Sequence, residues 1–225
     1  LHRVTYIGDE STKPVKSKSG NAADRKIRRS LEALHKRESP NAVNKAWKYL
    51  GHNDRHIRWA ARIAIELQPT SQWQDKALSE KDTQASLTAL CALARQGEAS
   101  LQGKLIKALN NINWAELKPS QQAELLRVYQ LAFIRMGNPS EAIASSVEKK
   151  LDPIYPAPMA SLNRELCTIL VYLESPNVAS KTLALMSQSA DQTKYNWSND
   201  LLNRNSGYAK AFAATAASSP QRDQI

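Results

Sequence analysis

The chain has few of the residues that mark most chemistry. Its 225 residues include only two cysteines, two phenylalanines and seven glycines. No CxxC or CxxCH occurs, which excludes zinc-ribbon, thioredoxin-type and covalent c-haem sites. There is no GxSxG and no phosphate-cradling glycine loop, so the common nucleophile and nucleotide signatures are missing as well. No apolar run reaches the about 20 residues that span a bilayer, and the first residues do not form a basic–apolar–small leader. Scarce glycine beside abundant alanine, leucine, lysine and glutamine favours helix, and the length suffices for a substantial core.

The formal charge is +10 and it is uneven. Residues 1–62 hold 15 Lys+Arg against 6 Asp+Glu, whereas residues 63–225 hold 16 against 15. The basic character therefore belongs to the first third, a property suited to nucleic acid, anionic lipid or an acidic protein surface.

The clearest stretch is LGHNDRHIRWAARIAIEL at 50–67. Asn53 or Asp54 suits an N-cap. Ile57, Ala60, Ala61, Ala64, Ile65 and Leu67 recur at helical spacing. The alanines allow a second helix to approach closely. A short helix at 41–50, with Val43, Ala46, Trp47 and Leu50 inward, precedes it. A first helix over 22–38 has the stripe Ile27, Leu31 and Leu34 and a basic first half of Arg25, Lys26, Arg28 and Arg29, which opposes the helix dipole.

Further pairs follow. Trp73, Ala77 and Leu78 mark a short helix, and Asp82 caps another over 83–96, with stripe Leu87, Leu90, Cys91 and Ala94 and Gly97 as its stop. Leu101, Leu105, Ile106 and Leu109 lie in a helix over 98–110. Ser120 caps a long helix to Met136, whose face is Leu125, Val128, Tyr129, Ala132, Phe133 and Met136. Helices over 140–151, 159–174 and 177–188 follow, the last with Val178, Leu183 and Leu185 inward. Between the first two of these, DPIYPAP reads as a rigid loop. Trp197 is expected to anchor a polar loop, and Tyr208, Ala211, Phe212 and Thr215 a last helix. Helix pairs recur at about 30–45 residues, a loose period of the repeat-protein kind.

Residues 1–8, LHRVTYIG, alternate like a strand. Residues 9–21 are linker-like in composition. The expected organisation is thus a stray strand and linker over 1–21, detached from a preceding domain, and a helical domain over 22–225 that stops inside a longer polypeptide.

The pattern Leu50, Asp54, Ile57, Arg58, Ala61, Ala64 resembles the second helix of a HEAT repeat, a family that stacks antiparallel helix pairs into a solenoid. The fold class expected is all-α: a right-handed HEAT-like α-solenoid of about nine to eleven helices, with a short extended N-terminal segment. The segments LHRVTYIG, KIRRSLEALH, KAWKYLGHNDRHIRWAARIAIE, NRELCTILVYLESPNVASKTL and LLNRNSGYAKAFAATAASSPQRDQI, in that order, resemble the middle of large secreted proteins of planctomycete-type bacteria. In those a sorbosone-dehydrogenase-like β-propeller precedes a HEAT-like region and a c-type cytochrome domain. The resemblance implies that LHRVTYIG closes the propeller, that the location is periplasmic or secreted, and that the segment, without a cofactor of its own, joins or positions neighbouring redox-related domains.

Several constellations compete with a purely structural use. His52 and His56 are four apart, but no third metal ligand is visible, so no metal site is expected. Asp54 and Arg58, also four apart, read as a cap plus a salt bridge. Cys91 and Cys167 read as buried thiols. Trp47, Trp59 and Trp73 lie among Arg55, Arg58 and Arg62, and together with Arg25, Arg28 and Arg29 these arginines are the candidate binding residues. Basic residues interleaved with aromatics suit nucleic acid, and some HEAT-like proteins are alkyl-purine DNA glycosylases with a basic groove and a catalytic Asp. The leading expectation remains a non-catalytic scaffold that docks a neighbouring domain or another protein, and a basic nucleic-acid binder is the alternative.

Overall fold

The computed structural model describes residues 21–188 without a break, together with residues 2, 5–11, 13, 207 and 210. Ten α-helices run through the continuous part: α1 (Ala22–Glu32), α2 (Ala42–Trp47), α3 (Arg55–Glu66), α4 (Gln74–Ser79), α5 (Thr83–Gln96), α6 (Gln102–Asn110), α7 (Pro119–Met136), α8 (Glu141–Leu151), α9 (Ala160–Tyr172) and α10 (Val178–Gln188). Among the described residues there is no strand.

Local chemistry sets most of the boundaries. Asp54 caps α3 by accepting the N–H groups of His56 at 2.7 Å and Ile57 at 3.2 Å. Asp82 caps α5 through the Ala85 N–H at 2.7 Å. The long helix α7 begins at Pro119 rather than being capped by Ser120. A proline at the first position has no N–H to lose, and the Gln121 side chain reaches back to accept the Lys118 N–H at 3.0 Å. Gly137 ends α7 at φ 95°, a region that disfavours any side chain.

Packing follows chain order. Helices α1, α3, α5, α7 and α9 contact one another in succession, α4, α6 and α8 do the same, and α3, α5, α7 and α9 each rest on the even-numbered helix that precedes them. On α3 the inward face is Ile57, Ala60, Ala61, Ala64 and Ile65, each at most 1% exposed. Helix α5 is buried almost all round, from Ala85 through Ala94 with only Cys91 partly open, because α3, α4, α6 and α7 all touch it. Trp73 is buried too. Its indole donates to the Gln68 carbonyl, while the buried Gln68 amide donates to the carbonyls of Lys36 and Ala64, so one side chain ties the chain after α1 to the end of α3.

Three further expectations are corrected. The first helix stops at Glu32, short of residue 38, because the chain tightens there and His35 Nε2 meets the Ala60 carbonyl at 2.8 Å. Leu183 points outward, since α9 is the helix that α10 packs on. Cys91 is only partly buried, whereas Cys167 is buried as expected. Among the described residues of 1–8 there is no strand, and Ile7 is 96% exposed. The expectations for Trp197, Tyr208, Ala211, Phe212 and Thr215 fall outside the described residues.

The turn before α3 passes so close to α5 that a Cβ on Gly51 would sit 2.7 Å from Asp82 Oδ1, the atom that caps α5. Asp82→Ala should cost about 1 kcal/mol, the usual value of such a cap. Gly51→Ala should destabilise the wild type and cost less in an Asp82→Ala background. Urea unfolding of both single variants and the double variant measures that coupling, expected at about 0.5 kcal/mol or more. Strict additivity would show that the close approach carries no energy.

Candidate functional site

Helices α3, α5 and α7 share more than a core. On their open side they bound a groove of about 650 Å³. Leu87, Thr88 and Cys91 of α5, with Val128 of α7, lie beneath it, and of these only Cys91 is partly open. Arg55, His56, Arg58, Trp59 and Arg62 stand on the α3 side, and Ser120, Glu124 and Arg127 on the α7 side. Helical spacing explains the α3 row: Arg55, Arg58, Trp59 and Arg62 are three and four apart, on the face opposite the buried alanines.

The four groove arginines are not equivalent. Arg58 is pinned. Its Nη1 donates to the carbonyls of His52 at 2.8 Å and Asn53 at 3.1 Å, and its Nη2 reaches across to Glu124 Oε1 at 3.3 Å. The other Glu124 oxygen accepts from Gln84 Nε2 at 2.6 Å, so this carboxylate links α3, α5 and α7. Arg62 donates to Cys91 Sγ at 3.1 Å and pairs through Nε with Glu66 at 3.2 Å. That ion pair lacks hydrogen-bond geometry, which leaves the buried Nε–H without an acceptor. Glu66 also pairs with Arg95 at 2.9 Å. Arg55 is exposed and has no partner among the described residues, and Arg127 makes one exposed contact with Gln130 Oε1 at 3.2 Å.

Burial pushes the Glu66 carboxyl up, although Arg62 and Arg95 pull the other way. Burial likewise raises the Cys91 thiol, against the pull of Arg62. A raised thiol is a poor source of thiolate, so the groove cysteine is not activated for attack.

Of the six candidate arginines, Arg55, Arg58 and Arg62 come together in the groove. Arg25 and Arg29 border a separate shallow depression on α1 with Lys26, and Arg28 pairs with Glu32 at 3.0 Å. The expected Asp54–Arg58 bridge is not made. Asp54 is occupied by two backbone N–H groups, and Arg58 turns to Glu124 instead. The tryptophans divide: Trp47 and Trp73 are buried, and Trp59 is 51% exposed at the groove. His52 serves the turn before α3, where its Nδ1 accepts the Asp54 N–H at 3.1 Å, while His56 lies on the α3 wall of the groove, and among the described residues no three potential ligands gather around a metal-sized space. Arg127 and Glu124 escape a sequence reading, because nothing local places α7 two helices away from α3.

Comparison of the chain with models of protein families, with curated proteins and with solved structures gives no match.

Two carboxyls should titrate in opposite directions. Hydrogen bonds from the His56 and Ile57 N–H groups hold Asp54 below its ordinary 3.8, so the stability it confers is present above that value and lost as pH falls through its lower folded value. Glu66 lies above its ordinary 4.5, so its contribution is present in acid and lost as pH rises through its higher folded value. Carbon-detected NMR titration checks both directions. Either group titrating at its ordinary value would contradict the assigned environment.

Proposed function

We propose that the chain is a HEAT-like α-solenoid that works as a non-catalytic interaction module, docking another protein segment in the groove over α3, α5 and α7. One observation carries this reading: Trp59, Arg55 and Arg127 stand exposed around one groove, and Trp and Arg are the residue types that dominate binding energy at interfaces. Two of the groups that could do chemistry there are already committed. Glu124 is held by Arg58 and Gln84, and the Cys91 thiol is raised by burial. The resemblance to planctomycete-type exported proteins suggests the partner: a propeller or cytochrome domain of the same polypeptide, or another protein of the periplasm, with any cofactor residing in those neighbours. No helix among the described residues is long and apolar enough to cross a membrane.

A second reading has its own support. Arginines with an exposed tryptophan also suit nucleic acid, by phosphate contacts and base stacking, and a HEAT-like DNA glycosylase would use such a groove. Its carboxylate here is Glu124, already bound on both oxygens, which weakens the enzymatic version.

A photo-crosslinking residue placed at Trp59, with an equivalent one at exposed Lys107 on α6 as control, separates the readings in the producing cell. The interaction reading expects a protein adduct from position 59 and none from position 107. A nucleic-acid adduct at position 59, with oligonucleotide binding that falls steeply with salt, would replace it with the second reading.

A further inference from the structure

The charge left free in the groove is smaller than its composition suggests. Arg58 is neutralised by Glu124, and Arg62 shares the single Glu66 carboxylate with Arg95, which leaves one positive charge over that trio. The cations open to a ligand are Arg55 and Arg127, one on α3 and one on α7, separated by the width of α5. The exposed Trp59 ring and the partly open Cys91 line the same groove.

A polynucleotide needs a run of free cations along its backbone. Two separated charges, with the Glu124 carboxylate on the same wall, fit it poorly. They fit a short peptide with acidic residues on either side of an apolar one. The volume, about 650 Å³, lies in the range of clefts that enclose ligand-sized groups. Resting on the interaction-module reading above, we infer that the groove takes a short acidic protein segment carrying one large apolar side chain. That side chain sits over the partly open Cys91, against the Trp59 ring. The flanking carboxylates pair with Arg55 and Arg127, as planar guanidinium groups favour. The Arg58–Glu124 bridge holds both walls in place.

The test uses a fluorescein-labelled peptide with glutamates on both sides of a single phenylalanine. A second peptide has alanine in place of the phenylalanine, and a single-stranded oligonucleotide serves as the third probe. Anisotropy titrations compare the wild type with Arg55→Glu, Arg127→Glu and Trp59→Ala, all at exposed positions, with circular dichroism to verify the fold. The phenylalanine peptide should bind, and each variant, like the loss of the phenylalanine, should weaken it by about tenfold or more. Equal binding of both peptides would overturn the apolar seat, and binding that survives Arg55→Glu and Arg127→Glu together would overturn the assigned cations. Failure of both peptides while position 59 still crosslinks to a protein would overturn the ligand chemistry and leave the interaction reading standing. Oligonucleotide binding tighter than peptide binding would overturn both.

Discussion

The arrangement depends on how closely other helices approach α3. Ala60, Ala61 and Ala64 are fully buried there, and no larger side chain holds the neighbours away. Helices α1, α2 and α5 all pack against α3. Close-packed interiors tolerate little change in volume, so this face sets the spacing between successive helices. The opposite face of α3 is then displayed at a fixed distance from α7, and the groove exists because of that distance. One helix of twelve residues thus serves the core with its alanines and the surface with its arginines and tryptophan.

Polar bridges between the odd-numbered helices complement this spacing. At one level Arg58, Glu124, Gln84 and Gln121 connect α3, α5 and α7. Toward the other ends of the helices Arg62, Glu66 and Arg95 join α3 to α5, and Arg135 of α7 donates to the Arg95 carbonyl at 3.0 Å. Gln130 continues the series to Glu165 on α9. Such partly exposed pairs contribute modest stability each. Their larger effect is on function: they fix register and remove charge, so that a groove lined by arginines offers few of them to a ligand. Lys150 plays a comparable structural part, donating to the carbonyls of Asn110 and Ile112 at the end of α6.

What was legible in the sequence was the local chemistry. Asn53 or Asp54 and then Asp82 announce helix starts, Gly97 announces a stop, and the α3 stripe identifies Ile57, Ala61 and Ala64 as core, because each depends on neighbours within a turn or two. The candidate site was legible only on the α3 side. Trp47 falls on the inward stripe of its helix and Trp59 on the face of α3 opposite the alanines, so spacing already separates a buried ring from the open one. Spacing favoured an Asp54–Arg58 bridge, but two backbone N–H groups compete for that carboxylate and Glu124, 66 residues away from Arg58, takes the guanidinium. The α1 arginines matched the same basic composition and lie away from the groove.

The most direct test of the account is a comparison of two substitutions on α3, measured by urea unfolding: Ala61→Leu on the packed face and Trp59→Leu on the groove face. Overfilling a close-packed contact typically costs about 1–3 kcal/mol, while an exposed substitution stays within about 0.5 kcal/mol. The account predicts that Ala61→Leu falls in the first range and Trp59→Leu in the second. An Ala61→Leu variant as stable as the wild type would contradict the claim that the alanine face sets the spacing of the helices and, through it, the groove.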